Sequence, residues 1–541
     1  MKLWTISGFM ISYYLIKTPN TYPPCLCFMH RTLKSKLVTA CVTMSLSLFC
    51  YHASAQATTE QPNIIFFSFD DLNDFINPMG YSQAKTPNLD RLASAGVTFT
   101  NAHTPATYCA PVRTAIFTGR HATTTGAYGT QVYFHEHPDI VPLQLSFQNA
   151  GYATYGAGKL FHHREGFIDM RGWDEFFLRN EALKTRGWPM DSWAEDTPLP
   201  GEFPVSTYNK NRVEEGSLKK STTFLEIAAI PIDIEEEMAD TKRSNCACSI
   251  IEKEHSKPFF LGIGIYAPHF PNYAPQKYWD MYDRESLILP EYTEGDLDDV
   301  GKLVRQQKMN RKKVHHDRLE KWGLIPESIH AYLACVSYAD AMLGRILHSI
   351  QNSNNRENTA VVIWSDHGYH QGQKGEWGKH TLWQRTTNVP FIWAGAGIAK
   401  NQKISATVSL IDMFPTFVEM CGLAPDSGHE GRSLLSMLRD PASAQDQDVF
   451  VPWLHPNSYA IINEDWRYIH YKDGSEELYD LKKDFEEITN LADSPEYASI
   501  KTKMKQSAPS NQAKPGLSAN TDLRLVTSGE SFHWEPKKKA K

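Results

Sequence analysis

Three apolar runs along the chain end in charged or metal-ligating side chains. Residues 63–71 read Asn-Ile-Ile-Phe-Phe-Ser-Phe-Asp-Asp, residues 258–269 read Pro-Phe-Phe-Leu-Gly-Ile-Gly-Ile-Tyr-Ala-Pro-His, and residues 359–367 read Thr-Ala-Val-Val-Ile-Trp-Ser-Asp-His. Hydrophobicity that is continuous rather than alternating predicts strands covered on both faces. Open α/β sheets build their sites at the C-terminal ends of such strands. Asp70-Asp71, His269 and Asp366-His367 are therefore expected at a common edge. Between the runs the period lengthens. Tyr332, Val336, Ala339, Leu343, Ile346 and Ile350 recur at three-to-four spacing and predict a helix over 328–350. A second helix is predicted from Ser409 to Met420. Strands alternating with helices define an α/β fold class, a large mostly parallel sheet sandwiched by helices.

The texture changes near residue 436. Trp466 to Tyr471 alternates as a strand, and Glu477–Leu481 and Glu487–Leu491 follow. Residues past 506 are rich in Ser, Pro and Lys and predict an extended tail or a disordered one. Residues 181–245 are polar and Pro-interrupted, as in an insertion or lid over a site. From Met29 the chain carries His30, Arg31, Lys34 and Lys36, then an apolar run from Leu37 to Tyr51, then Ala53-Ser54-Ala55. That order is a secretory signal with its cleavage site, and Met29 reads as its start. The run is short for a membrane span. Secretion or a periplasmic location is expected, with no stable membrane span after cleavage. An uncleaved anchor is the alternative, and a lipoprotein through Cys50 is disfavoured by the bulk of Phe49. The expected layout is a leader over 1–56, a catalytic domain over 57–435, a C-terminal subdomain over 436–505 and a tail over 506–541.

Composition changes this picture little. Hydrophobic residues make up 41% and charged residues 22%, with a formal net charge of -7. There is no nucleic-acid signature, so a polyanionic partner must be met by local cations. The densest cation run is Lys302, Arg305, Lys308, Arg311, Lys312, Lys313, Arg318 and Lys321. It reads as a solvated face first and as a polyanion-binding flank second. Four of the nine cysteines fall in the leader. The remaining five are too scattered for a disulfide framework. Cys246-Ala247-Cys248 is too isolated for a zinc site, and Cys335 and Cys421 read as core thiols.

Cys109 stands apart, in Cys109-Ala-Pro111-Val-Arg113-Thr-Ala-Ile-Phe-Thr118-Gly119. This run resembles the signature of type I formylglycine-dependent sulfatases, Cys-x-Pro-x-Arg-x-x-x-x-Thr-Gly. The likeness extends from about Asn63 to about Leu491 and is to the iduronate-2-sulfatase-like subgroup, which carries His where His367 stands. It implies an alkaline phosphatase-like fold with a small C-terminal antiparallel-sheet subdomain. It further implies that a maturation enzyme oxidises Cys109 to formylglycine. A single Ca²⁺ would be held by Asp70, Asp71, the modified Cys109, Asp366 and His367. His367 leaves a transition metal open, because imidazole is a poorer calcium ligand than oxygen.

The same resemblance assigns the remaining roles. Arg113 would hold the formylglycine. Lys159 and His162, in Gly158-Lys159-Leu160-Phe161-His162, would neutralise a sulfate oxygen and assist release of sulfate; taken alone, this pair reads as a surface turn. His269 would protonate the leaving sugar oxygen, and Lys379, in Glu376-Trp377-Gly378-Lys379, would add a second cation. Asp340 and Asp412 read as structural. Two positions depart from the pattern. Ala267 replaces a lysine in the Lys-Pro-His element, which puts the exact sugar preference in doubt, and Val112 replaces the commoner serine. The expected activity is hydrolysis of O-sulfate esters on a carbohydrate, a sulfated polysaccharide or glycosaminoglycan. A phosphonate monoester or phosphodiester hydrolase on the same scaffold is one alternative. A binding protein for sulfated glycans that has lost catalysis is the other.

Overall fold

The computed structural model describes residues 61–162, 166–177, 206–217, 225–230, 235–236, 238–528 and 531–537. The expected leader and much of the 181–245 segment lie outside the described residues. Eight strands form the principal sheet: β1 (Asn63–Asp70), β2 (Gly96–Phe99), β3 (Ala153–Gly158), β4 (Glu175–Phe177), β5 (Phe259–Pro268), β6 (Thr359–Ser365), β7 (Phe391–Gly395) and β8 (Gln402–Ile404). Their spatial order is β8-β2-β7-β6-β1-β5-β3-β4. Only β7 runs against its neighbours. The three apolar runs of the sequence are β1, β5 and β6, and they lie side by side and parallel. Register sets Phe69 beside Ser365 and Asp70 beside Pro268, so the three tips meet at one edge.

The continuous hydrophobicity is explained by cover on both faces. Ile65, Phe67 and Phe69 face one core, shared with Leu333, Val336 and Leu343. Ile64 and Phe66 face another, shared with Val112, Ile116, Phe117 and Phe417. Six helices are used below: α1 (Cys109–Thr118), α2 (Ala239–Ile251), α3 (Lys302–Val314), α4 (Ile325–Asn352), α5 (Met413–Cys421) and α6 (Ala498–Gln506). Burying a Phe or Ile side chain stabilises by roughly 1.5–3 kcal/mol. The central strand is thereby clamped between α4 on one side and α1 and α5 on the other, and its tip is held in place.

Local charge serves this frame. Asp340 on α4 accepts from the backbone N–H groups of Asn88 (3.1 Å) and Leu89 (2.7 Å), at the start of the helix Pro87–Ser94. Asp412 and Ser409 form a reciprocal cap ahead of α5. The end of the 181–245 segment departs from the lid expectation. It enters α2, whose Ala247, Ile250 and Ile251 are buried in the core.

The C-terminal part forms a four-stranded antiparallel sheet, β9 (Val449–Pro452), β10 (Tyr459–Ile462), β11 (Trp466–His470) and β12 (Glu476–Asp480), with α6 against it. No strand forms over 487–491. The tail past 506 is ordered rather than disordered among its described residues. Gly516 donates to the carbonyl of Gly126 (3.1 Å) and Ala519 to that of Thr130 (2.8 Å). The chain then closes in a hairpin, β13 (Leu523–Ser528) and β14 (Ser531–Pro536). Among the described residues, no helix is long and apolar enough to cross a membrane.

Candidate active site

Helix α1 presents Cys109 as its first residue. Pro111 is tolerated because the N–H groups of a first turn lack intrahelical partners. Arg113 lies one turn further on, on the same face as Cys109. Gly119 ends the helix in a left-handed conformation (φ 65°), and a Cβ there would stand 2.7 Å from the His429 ring. All ten residues of α1 are buried. The Arg113 guanidinium donates to Asp366 Oδ2 through Nη2 (3.0 Å) and Nε (3.2 Å), and to the carbonyls of Phe69 (3.4 Å) and Lys159. It also lies 3.7 Å from Asp70 Oδ1. One side chain thus ties together the tips of β1, β3 and β6.

Cys109 Sγ sits at the buried N-terminal end of α1. It lies 3.2 Å from His367 Nε2, 3.6 Å from Asp70 Oδ1 and 3.1 Å from Lys379 Nζ. Lys379 also donates to Asp71 Oδ1 at 2.7 Å. Asp71 has a left-handed backbone (φ 65°), a conformation that costs an ordinary residue about 1–3 kcal/mol. It is held there by two bonds. Its N–H donates to Asp366 Oδ1 (3.3 Å), and its carbonyl accepts from the Tyr332 hydroxyl (2.7 Å).

Candidate ligand atoms of Asp70, Asp71, Cys109 and His367 lie within 4.8 Å of one another, and all four residues are buried. Asp366 stands one step behind them. Its Oδ2 receives Arg113 and lies 3.6 Å from His367 Nε2. His367 Nδ1 lies 3.0 Å from the carbonyl of Gly368 and 3.3 Å from Asp71 Oδ1. This donor set, two carboxylates with an imidazole and the position-109 atom, fits a divalent cation.

Lys159 reaches the site because β3 and β5 are pressed together. A Cβ on Gly264 would fall 2.1 Å from the Lys159 carbonyl carbon, so only glycine permits the approach. The Lys159 ammonium pairs with Asp70 and stacks 4.2 Å from the Tyr266 ring centroid. His162 Nε2 lies 2.9 Å from the hydroxyl of Tyr108, the residue before Cys109. His269 Nε2 lies 3.7 Å from Asp71 Oδ2, and its Nδ1 lies 2.6 Å from the Phe270 carbonyl. Ala267 gives no cation here. Its N–H, with that of Tyr266, donates instead to Asp240 on α2.

The charges are strongly coupled. Burial pushes the Asp70 carboxyl up, but Lys159, His269, Lys379 and Arg113 overcome it and hold Asp70 well below the usual range. Asp71 is pushed up to about 7 by burial and, against Lys379, by the charges of Asp70 and Asp366. Burial also raises the Cys109 thiol, drives His269 well below its usual range and lowers His367 to about 4. Burial opposes the charge of Lys379, yet Asp71, Cys109, Asp70 and Asp366 keep it protonated well above the usual lysine range. Three carboxylates packed in a buried site, one of them only partly ionised near neutral pH, are an arrangement that a bound cation relieves.

Several participants carry no sequence signal of their own. Tyr108, His380 and Tyr332 belong to no metal or nucleophile pattern. The His380 ring lies 5.0 Å from that of Tyr108. Part of the basic run turns inward. Lys308 and Arg311 on α3 pair with Glu376 at 3.3 and 2.7 Å, and Arg311 donates to the Trp377 carbonyl (2.8 Å). Those two cations therefore brace the loop that carries Lys379, a role neither a solvated face nor a polyanion flank describes.

A buried helix N-terminus, an acidic cluster and three cations that reach it from different elements, Arg113 on α1, Lys159 after β3 and Lys379 on its loop, suit an anionic ester on an alkaline phosphatase-like sheet. The chain belongs to the sulfatase family, whose family model matches residues 62–423, and is a sulfuric ester hydrolase. The model of the N-sulphoglucosamine sulphohydrolase C-terminal region matches residues 372–514. A sulfatase of Formosa agariphila is 34% identical over 85% of this chain and 88% of its own. Human iduronate 2-sulfatase is 27% identical over 63% of this chain and 60% of its own. Among solved structures, the phosphonate monoester hydrolase of Agrobacterium radiobacter superposes with a TM-score of 0.65 at 20% identity, covering 82% of this chain and 94% of that one. That likeness is one of fold alone.

Proposed function

We propose that the chain removes O-sulfate groups from a sulfated carbohydrate, with position 109 as the formylglycine nucleophile beside one bound Ca²⁺. The observation that carries this reading is the buried grouping of Asp70, Asp71, Cys109 and His367 within 4.8 Å, with Lys379 Nζ 3.1 Å from Cys109 Sγ. Oxidised by a maturation enzyme and hydrated, position 109 offers one hydroxyl to attack sulfur and a second to expel sulfate. A thiol would instead leave a stable thiosulfate ester. A cation held by Asp70, Asp71, His367 and the oxygen at 109, backed by Asp366, supplies Lewis-acid charge neutralisation.

The chain's own residues do the rest. Arg113 fixes Asp366 and α1 against the strand tips. Lys159, paired with Asp70, and Lys379, paired with Asp71 beside Cys109, balance the charge of a sulfate group. His269 keeps Nδ1–H on the Phe270 carbonyl, so its Nε2 gives a proton to the leaving oxygen as the imidazolium, the form that burial opposes and the charge of Asp70 favours. His162 is oriented by Tyr108 to move a proton at position 109 when sulfate leaves. The carbohydrate reading is supported by the names of the iduronate and glucosamine relatives. The basic, apolar and Ala-Ser-Ala segments near the N-terminus support export, with cleavage after Ala55.

The test is sulfate release from defined sulfated oligosaccharides, set against turnover of an aryl phosphonate by the same preparation. Faster turnover of the sulfated sugars is expected. Turnover of the phosphonate with no sulfate release would replace this reading with a phosphonate hydrolase.

A further inference from the structure

A second concavity, of about 350 Å³, adjoins the loop that carries Lys379. That volume lies at the small end of the range for ligand pockets. One wall is α3, which contributes Leu303, Gln306, Gln307 and Asn310, spaced i, i+3, i+4 and i+7 and so forming one helical face. The opposite wall is Trp453, Leu454 and His455 after β9, with Lys472 beyond β11.

Two contacts tie this cavity to the chemistry. Trp453 Nε1 donates to the His380 carbonyl at 3.0 Å, and Lys308, from the inward face of α3, donates to the same carbonyl at 3.3 Å. His380 follows Lys379, whose Nζ stands at Cys109 Sγ. The helix thus braces the catalytic loop with one face and lines the cavity with another.

We propose that this cavity is a subsite for the sugar residue next to the one whose sulfate is cleaved. The proposal rests on the carbohydrate reading above. The side-chain amides of Gln306, Gln307 and Asn310 lie exposed and make no hydrogen bond to the described residues. Each offers a carbonyl acceptor and paired N–H donors, the complement of neighbouring hydroxyls on a sugar ring. Leu303 and Leu454, both half-buried, supply apolar surface for its C–H face, with the largely buried Trp453 behind them. Lys472 is exposed, and among the described residues it pairs with no carboxylate and no acidic side chain lines the cavity. The chemistry selects a neutral, carboxylated or sulfated sugar and disfavours a cationic one.

The test compares wild type with the Gln306→Ala/Asn310→Ala double variant and, separately, with Lys472→Glu. The probes are 4-nitrophenyl sulfate, too small to reach the cavity, and size-fractionated sulfated tetrasaccharides from heparin, chondroitin sulfate and carrageenan. The double variant is expected to lose about ten-fold in kcat/KM on the cleaved tetrasaccharide, mostly through KM, a loss of two or so hydrogen bonds, and Lys472→Glu about as much by repelling the anionic neighbouring sugar. Their turnover of 4-nitrophenyl sulfate is expected to match wild type. If the tetrasaccharide rate is unchanged, or falls in step with the aryl sulfate rate, the subsite is refuted while the carbohydrate reading stands. If wild type cleaves the aryl sulfate and none of the tetrasaccharides, the carbohydrate reading and the subsite are overturned together.

Discussion

The Tyr332 hydroxyl donates to the carbonyl of Asp71 at 2.7 Å and accepts from the N–H of Asn73 at 3.0 Å. A side chain on the longest helix therefore holds the left-handed turn in which β1 ends. Tyr332→Phe leaves a buried carbonyl and a buried N–H without this partner, at a cost of about 1–3 kcal/mol. Thermal unfolding should shift down by a few degrees. Turnover should fall more than stability alone explains, because Asp71 is released to relax from its strained backbone. Calorimetry and aryl sulfate kinetics on the same preparation check both.

Arg113 is fully enclosed and bonds to Asp366 and to two strand-tip carbonyls. Lysine cannot reproduce the planar fork. Arg113→Lys should strip the Asp366 carboxylate of its bidentate partner and destabilise the fold by about 3–5 kcal/mol. Denaturant titration is the measurement. A variant that unfolds like wild type would mean that the guanidinium does not tie the sheet edge together.

The tail hairpin reaches the rim of the site. Trp534 Nε1 donates to the Gly166 carbonyl at 2.8 Å, and its ring packs on Phe167, which lies 4.9 Å from the His162 ring. Trp534→Ala should leave the unfolding midpoint near wild type, since the hairpin is peripheral. It should lower kcat several-fold by loosening His162. Circular dichroism and steady-state kinetics separate the two effects.

Glu476 anchors α6 to β12 through Lys501 (3.0 Å) and Lys505 (2.9 Å) and accepts from Tyr468 (2.7 Å). Partial burial opposes the charge, but Tyr468, Lys505 and Lys501 hold the folded carboxyl down at about 2. A depressed carboxylate contributes stability above its unfolded pKa of about 4.3, and that contribution is lost as pH falls toward the folded value. Glu476→Gln should therefore cost about 0.5–1 kcal/mol at pH 7, a figure limited by solvent screening, and almost nothing near pH 2. Urea midpoints for α6 detachment at several pH values test the sign.

The strands that carry the site were legible because each is a continuous apolar run with its polar groups at one end. Asp70-Asp71, Asp366-His367 and His269 could be placed at one edge from that pattern alone. The resemblance tied Arg113 to position 109, and the structure adds the helix that sets it one turn behind Cys109. The inward turn of Lys308 and Arg311 was not legible. Their partner, Glu376, lies more than sixty residues away, and a cation run looks the same whether it meets water or a buried carboxylate. The tail is the extended one of its two alternatives, but its partners were not legible, for a related reason. Its bonds run through backbone groups to 123–130, and backbone pairing between distant segments leaves little trace in composition.

Peptide mass spectrometry across residue 109 tests the central claim most directly. In a preparation that hydrolyses sulfate esters at full rate, the peptide should carry an aldehyde-bearing residue in place of the thiol. Full turnover by protein whose Cys109 is wholly an intact cysteine would contradict it.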